Sequence, residues 1–171
     1  MIAIFETNVG TFKIELFDKT MPLTIGNFKR LVDQGFYDGL IFHRIIKDFM
    51  IQGGCPIGDG TGDPGYTIPD EFTPNNRNIK GTISMANAGP NTGGSQFFIN
   101  VVDNNYLDGN HPVFGKVIDG ADIVDKISKI EVDSSDRPIN KVIINKITIE
   151  WFIINFYKLI KVNILRGVMF E

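Results

Sequence analysis

The chain has 171 residues, 43% hydrophobic and 22% charged, which suits one globular domain with a full core. Net charge is −3; the apolar stretch 151–171 carries +2, so residues 1–150 carry −5. That acidity excludes nucleic-acid binding, which needs a basic face, but not a neutral peptide ligand.

Cys55 is the single cysteine, so no intramolecular disulfide can form, and with His43 and His111 the only imidazoles no structural zinc set exists. A strand pattern starting at Ile2 leaves no room for a cleaved secretory signal. The expectation is a cytoplasmic protein without metal or cofactor.

In chain order, Ile2–Thr7 and Thr11–Phe17 flank Asn8-Val9-Gly10 and read as a β-hairpin. Pro22 opens a helix with an apolar stripe of Ile25, Phe28, Leu31 and Val32, and Gly35 stops it. Ile41 to Gln52 reads as strand, tight turn at Lys47-Asp48, strand. Alternation then puts Arg44 on one face with Phe42 and Ile46, and Met50 with Gln52, with Phe49 at the turn exit. Burying a guanidinium unpaired is very costly, so Arg44 must reach a groove, a carboxylate or a ligand. Phe49 and Met50 beside it suggest a groove with an apolar floor. The same alternation turns His43 to the opposite face, where a hydrogen-bonded structural role is expected.

Residues 53–78 are rich in Gly, Pro and Asp and read as one long ordered loop. Within it Gly60-Thr61-Gly62-Asp63-Pro64-Gly65 fits GxGxxG, but no strand leads into it and Pro64-Gly65 cannot continue a helix, so a nucleotide fingerprint is rejected. Cys55 has no resolving partner, which argues against a redox role. Ile79–Met85, Gln96–Val102 and Pro112–Ile118 read as strands. A short helix after Gly120 carries Ile123, Val124, Ile127 and Ile130, and Lys141–Ile149 is a final strand. Between the first two of these strands, small Ala86 and Ala88 leave backbone uncovered for an extended peptide. Asn87 and Gln96 supply amides there, and Phe98 supplies an aromatic wall.

Three blocks together resemble the cyclophilins: Phe42-His43-Arg44 with Phe49-Met50-Ile51-Gln52-Gly53-Gly54; Ser84-Met85-Ala86-Asn87 with Gly94-Ser95-Gln96-Phe97-Phe98-Ile99; and Leu107-Asp108-Gly109-Asn110-His111-Pro112-Val113-Phe114-Gly115. The likeness covers residues 1–150. It implies a mostly β fold, a closed eight-stranded antiparallel β-barrel capped by two α-helices. It implies peptidyl-prolyl cis–trans isomerase activity on proline-containing polypeptides and assistance to protein folding.

Carried over by position, Arg44 resembles the catalytic arginine. Phe49, Met50, Phe98 and Leu107 resemble the proline pocket. Gln52, Ala86, Asn87, Ala88 and Gln96 resemble the groove for the substrate backbone, and Tyr106 and His111 the rim. Tyr106 stands where cyclosporin-sensitive members have Trp; a phenol is smaller and lacks the indole N–H, which argues against strong cyclosporin binding. The alternative reading is a proline-peptide binding module with negligible turnover.

Residues 151–171 form an apolar extension past the family's end. Lys158 and Lys161 near its middle argue against a membrane span. Docking on the barrel's own surface is preferred to an unfolded or mistranslated extension and to a partner or membrane contact.

Overall fold

A computed structural model describes residues 1–151. Its strands are β1 (Ile2–Thr7), β2 (Thr11–Leu16), β3 (Arg44–Ile46), β4 (Met50–Gly53), β5 (Thr82–Met85), β6 (Phe97–Asn100), β7 (Val113–Asp119) and β8 (Ile144–Glu150). Two helices, α1 (Pro22–Asp33) and α2 (Ala121–Ile127), accompany them. All strand pairs are antiparallel, in the order β3-β4-β6-β5-β7-β2-β1-β8.

This corrects the expected closed barrel: the sheet is curled but open. Strands β3 and β8 are its edges and do not pair with each other. The segment ahead of β3 meets the start of β8 and the residues just before it instead, through the bridge Ile41↔Ile143 and the bonds Phe42 N–H to Val142 O (3.0 Å) and Ile144 N–H to Leu40 O (2.8 Å). The physical reason is that β3 is only three residues long. The chain before it is not a strand: Phe42 and His43 are both buried, 0% and 4% exposed. Alternation therefore fails there, and Phe42 joins the core rather than the face of Arg44. A second correction concerns His43, whose ring nitrogens have no hydrogen-bond partner among the described residues.

The core fills the concave side. Phe97 sits at its centre, edge-on to Phe5, Phe28, Tyr37 and Phe42 at centroid distances of 5.7–6.1 Å, the favoured geometry for aromatic quadrupoles. Helix α1 buries the predicted stripe and ends before Gly35, whose φ of 67° is costly for residues with a Cβ. No side chain adjacent to its N-terminus caps it. Glu71 of the long loop does so, accepting the N–H groups of Leu23 (3.2 Å) and Thr24 (2.9 Å). Asn27 on the same helix donates to Gly94 O (2.8 Å) and accepts from the Tyr66 hydroxyl (2.7 Å). The helix thus fixes two loops that border the site. Ile130 lies beyond the end of α2, while Val124 and Ile127 are buried. Apart from Trp151, the C-terminal extension lies outside the described residues.

Candidate active site

Strands β3, β4 and β6 carry the core on one face and a notch on the other. Ile45, Ile51 and Ile99 point into the core. Their neighbours Arg44, Gln52 and Phe98 lie in one row, Arg44 opposite Gln52 and Gln52 opposite Phe98. The notch, about 260 Å³, is lined by Arg44, Phe49, Met50, Gln52, Ala86, Asn87, Phe98, Leu107 and His111. Met50 and Phe98 form a floor only 2% and 5% exposed. His111 meets Phe98 edge-on at 5.2 Å. Its Nδ1 lies 3.1 Å from Met85 O; a carbonyl oxygen only accepts, so Nδ1 is the donor of that bond. Tyr106 is outside the lining; 70% exposed, it stacks on Phe49 at 6.2 Å and forms an outer rim.

The Arg44 guanidinium is half-exposed, its Nε 3.7 Å from an exposed carboxylate oxygen of Asp136. A water-screened pair of this kind contributes little. Arg44 is therefore not locked onto an internal carboxylate.

Buried amides hold these elements together. Asn104 donates to Phe49 O (3.0 Å) and to Asn100 Oδ1 (2.8 Å). Asn100 donates to Thr82 Oγ1 (2.9 Å) and Asn78 Oδ1 (3.2 Å). Asn78 and Asn76 donate to His111 O at 3.2 and 3.0 Å. Asp108 accepts the Asn78 N–H at 2.6 Å. Burial pushes the Asp108 carboxyl up, but the Asn78 N–H and the side chains of Asn105, Arg77 and Asn78 outweigh it, holding it below the usual range. The Phe49 turn and the loop bearing Leu107 and His111 are thereby pinned to β5 and β6. Satisfied buried networks of this kind fix a single arrangement.

A second cavity, about 310 Å³, shares Gln52, Ala86 and Asn87 with the notch and adds Ala88, Gln96 and the loop around Thr61. Neither the backbone N–H nor the carbonyl of Asn87 is bonded among the described residues, leaving both free to pair with an extended peptide. Gln96 has a different geometry: its amide donates to Gly60 O (2.8 Å) and Gly62 O (2.9 Å) and accepts from Gln52 (3.0 Å). It ties the glycine-rich loop to β6. That loop has no strand–turn–helix form. Its hub is buried Cys55, whose sulfur accepts N–H groups of Gly58, Gly60 and Gly62, each at 3.3 Å. Burial raises the thiol's proton affinity, but the backbone of Asp59 first, then the N–H groups of Gly60, Gly62 and Gly58, outweigh it and hold its pKa below the ordinary value.

The cyclophilin type peptidyl-prolyl cis-trans isomerase model matches residues 2–149. The chain belongs to that family. It is 47% identical over 145 residues to the peptidyl-prolyl cis-trans isomerase-like 1 of Neurospora crassa, covering 82% of this chain and 89% of that one. It is 55% identical over 117 residues to a peptidyl-prolyl cis-trans isomerase of Synechococcus elongatus, covering 68% and 80%. A cyclophilin type isomerase of Cryptosporidium parvum, crystallised in the presence of the dipeptide Ala-Pro, superposes with a TM-score of 0.85 at 39% identity, covering 88% of this chain and 99% of that one. The chain is thus a cyclophilin-type peptidyl-prolyl cis–trans isomerase.

The notch brings together every proline-pocket residue anticipated from sequence, and Ala88 and Gln96 line the adjoining cavity. Sequence reasoning missed Thr61, the buried asparagines and the turn carrying Asp136 and Arg137. The length and Gly-rich composition of the 53–78 loop were a signal for the first. The other two gave none, since isolated Asn and Asp residues read as turn formers.

Proposed function

We propose that this cyclophilin seats the ring of a substrate proline on Met50 and Phe98 and lowers the rotational barrier by electrostatic stabilisation, with no covalent intermediate. The planar imide is held by resonance worth about 18–20 kcal/mol of barrier. Midway through rotation the resonance is lost and the proline nitrogen regains a lone pair. A fixed cation donating to that lone pair stabilises the twisted form more than either planar form. Arg44 supplies the donor: it stays charged and presents several N–H groups on one plane. Asn87 and Ala86 hold the backbone on one side of the bond while the other side turns.

The observation carrying this reading is the row Arg44–Gln52–Phe98 across three strands, with the guanidinium beside an apolar floor and without a buried carboxylate. Raising a rate near 0.01 s⁻¹ to about 10–1,000 s⁻¹ takes roughly 4–7 kcal/mol. A charge-assisted hydrogen bond contributes about 1.5–3 kcal/mol, so pocket shape and desolvation supply the rest. The substrates are proline-containing polypeptides, and the role in the cell is assistance to folding in the cytoplasm. Exposed Tyr106 offers no indole N–H, and weak cyclosporin binding is the expected consequence.

The test is NMR exchange spectroscopy on short Xaa-Pro peptides. Wild type accelerates exchange, and Arg44→Ala lowers kcat/KM about 10- to 150-fold, the range set by one charge-assisted bond. An unchanged rate in Arg44→Ala refutes the mechanism. Binding by wild type without faster exchange means a binding module instead.

A further inference from the structure

On the far side of Arg44 lies a third cavity, about 380 Å³, which shares Arg44 and Gln52 with the notch. His43, Asp59 and Arg137 also line it, with Gly60, Thr61 and Ser135 between them. His43 is 4% exposed, and neither ring nitrogen has a partner among the described residues. A buried polar group left in that state costs about 1–3 kcal/mol. Both nitrogens are closed off from solvent, so a group entering the cavity meets the guanidinium side chains rather than the ring nitrogens.

Arg137 is exposed and takes part in no ion pair among the described residues. Its position is built. Asp133 Oδ1 accepts the N–H groups of Ser135 (2.8 Å) and Arg137 (3.0 Å). Asp136 adopts a left-handed conformation, φ 62°, and its carbonyl accepts the N–H of Ile45 at 2.8 Å. The turn is thereby stitched to β3 next to Arg44. The wall's carboxylate, Asp59, is engaged by its own turn, its Oδ1 accepting the N–H (2.8 Å) and O–H (2.7 Å) of Thr61. The wall carries the Arg44 and Arg137 guanidinium groups and the Asp59 carboxylate, and Asp136 pairs with Arg44 beside it, so Arg137 is the cation without an ion-pair partner among the described residues. Both cations act on His43: burial first, then Arg137 and Arg44, lower its pKa to about 4, with Asp59 opposing. At neutral pH the ring is uncharged.

We propose that this cavity is a subsite for an anionic side chain, carboxylate or phosphate, of the same polypeptide whose proline occupies the notch, with Arg137 as its donor. The proposal rests on the isomerase reading. Because Arg44 is the shared wall and an extended chain advances about 3.3 Å per residue, the acidic residue stands within about two positions of the proline.

The experiment uses the full chain and peptides identical except for Glu, phosphoserine, Gln or Lys walked through the two positions on each side of proline. Both affinity and exchange rate are read by NMR. At one position Glu or phosphoserine is favoured over Gln about three- to tenfold in affinity or kcat/KM, the range for a partly exposed charged pair, and the ratio of phosphoserine to Glu tells which anion fits. Arg137→Glu inverts the order in favour of Lys, and Arg137→Lys keeps part of the preference. Equal values for Glu, phosphoserine and Gln at all four positions overturn the proposal, as does a preference that survives Arg137→Glu. If no peptide exchanges faster with wild type, the isomerase reading fails, and the affinities still decide the subsite.

Discussion

The two faces of β4 and β6 differ in what completes them. On the inner face Ile51, Phe97 and Ile99 are fully buried and belong to the apolar core. On the outer face Met50, Gln52 and Phe98 alternate with them, but no layer packs above: a cavity stands there, bordered by a cation. The inner face is satisfied by the fold itself. The outer face is held in shape from the side, by the Asn78–Asn100–Asn104 amides and by the loop tied through Gln96. An apolar surface kept open for a ligand thus relies on polar scaffolding that a packed core does without.

The largest effect tests that contrast directly. Phe97→Ala removes the ring that four others surround and costs about 3–5 kcal/mol, transfer plus cavity. Phe98→Ala, one residue on, costs about 1.5–3 kcal/mol, because its other side already faces a cavity, yet it loses most proline-peptide affinity. Denaturant melts and peptide titrations on both variants check this; equal stability losses would break the distinction between the faces.

Next in size is acid sensitivity. The unfolded chain protonates His43 near its ordinary pKa of 6.5, whereas the folded chain holds it neutral down to about 4, burial being the main cause and Arg137 and Arg44 adding to it. The stability tied to this neutral ring is fully present above pH 6.5 and is lost as pH falls to about 4. The loss is roughly 3 kcal/mol. His43→Leu removes that part of the slope between pH 6.5 and 4, read by urea melts at each pH; an unchanged slope would show that carboxylates alone set the acid limit.

The smallest effect sharpens the role of the long loop. Glu71→Ala strips the start of α1 of its only side-chain cap among the described residues and costs about 0.5–2 kcal/mol. If the loop positions the second cavity through this contact, exchange spectroscopy also shows a raised KM with kcat little changed.

Much of the site was legible because it sits on strands. Period-2 alternation separates Gln52 from Ile51 and Phe98 from Phe97, and motif spacing brought Arg44, Phe49, Met50, Asn87 and His111 into one reading. Alternation misplaces Phe42 because it does not hold ahead of β3, where the chain bends to meet Val142 and Ile144. The barrel's closure was over-read for the same reason: sequence gives strand propensity, not the length over which two edges stay in reach.

By itself, the sequence determined the strands, both helices, the family and the side chains that meet at the notch, since each follows from local periodicity or a contiguous motif. Only the tertiary structure decided that the sheet stays open, that Glu71 caps a distant helix and that Arg137 stands beside Arg44. Those pairings join residues far apart in the chain. Their partners are chosen by how the sheet curls and by which buried donors need an acceptor, and no local pattern of residues encodes either.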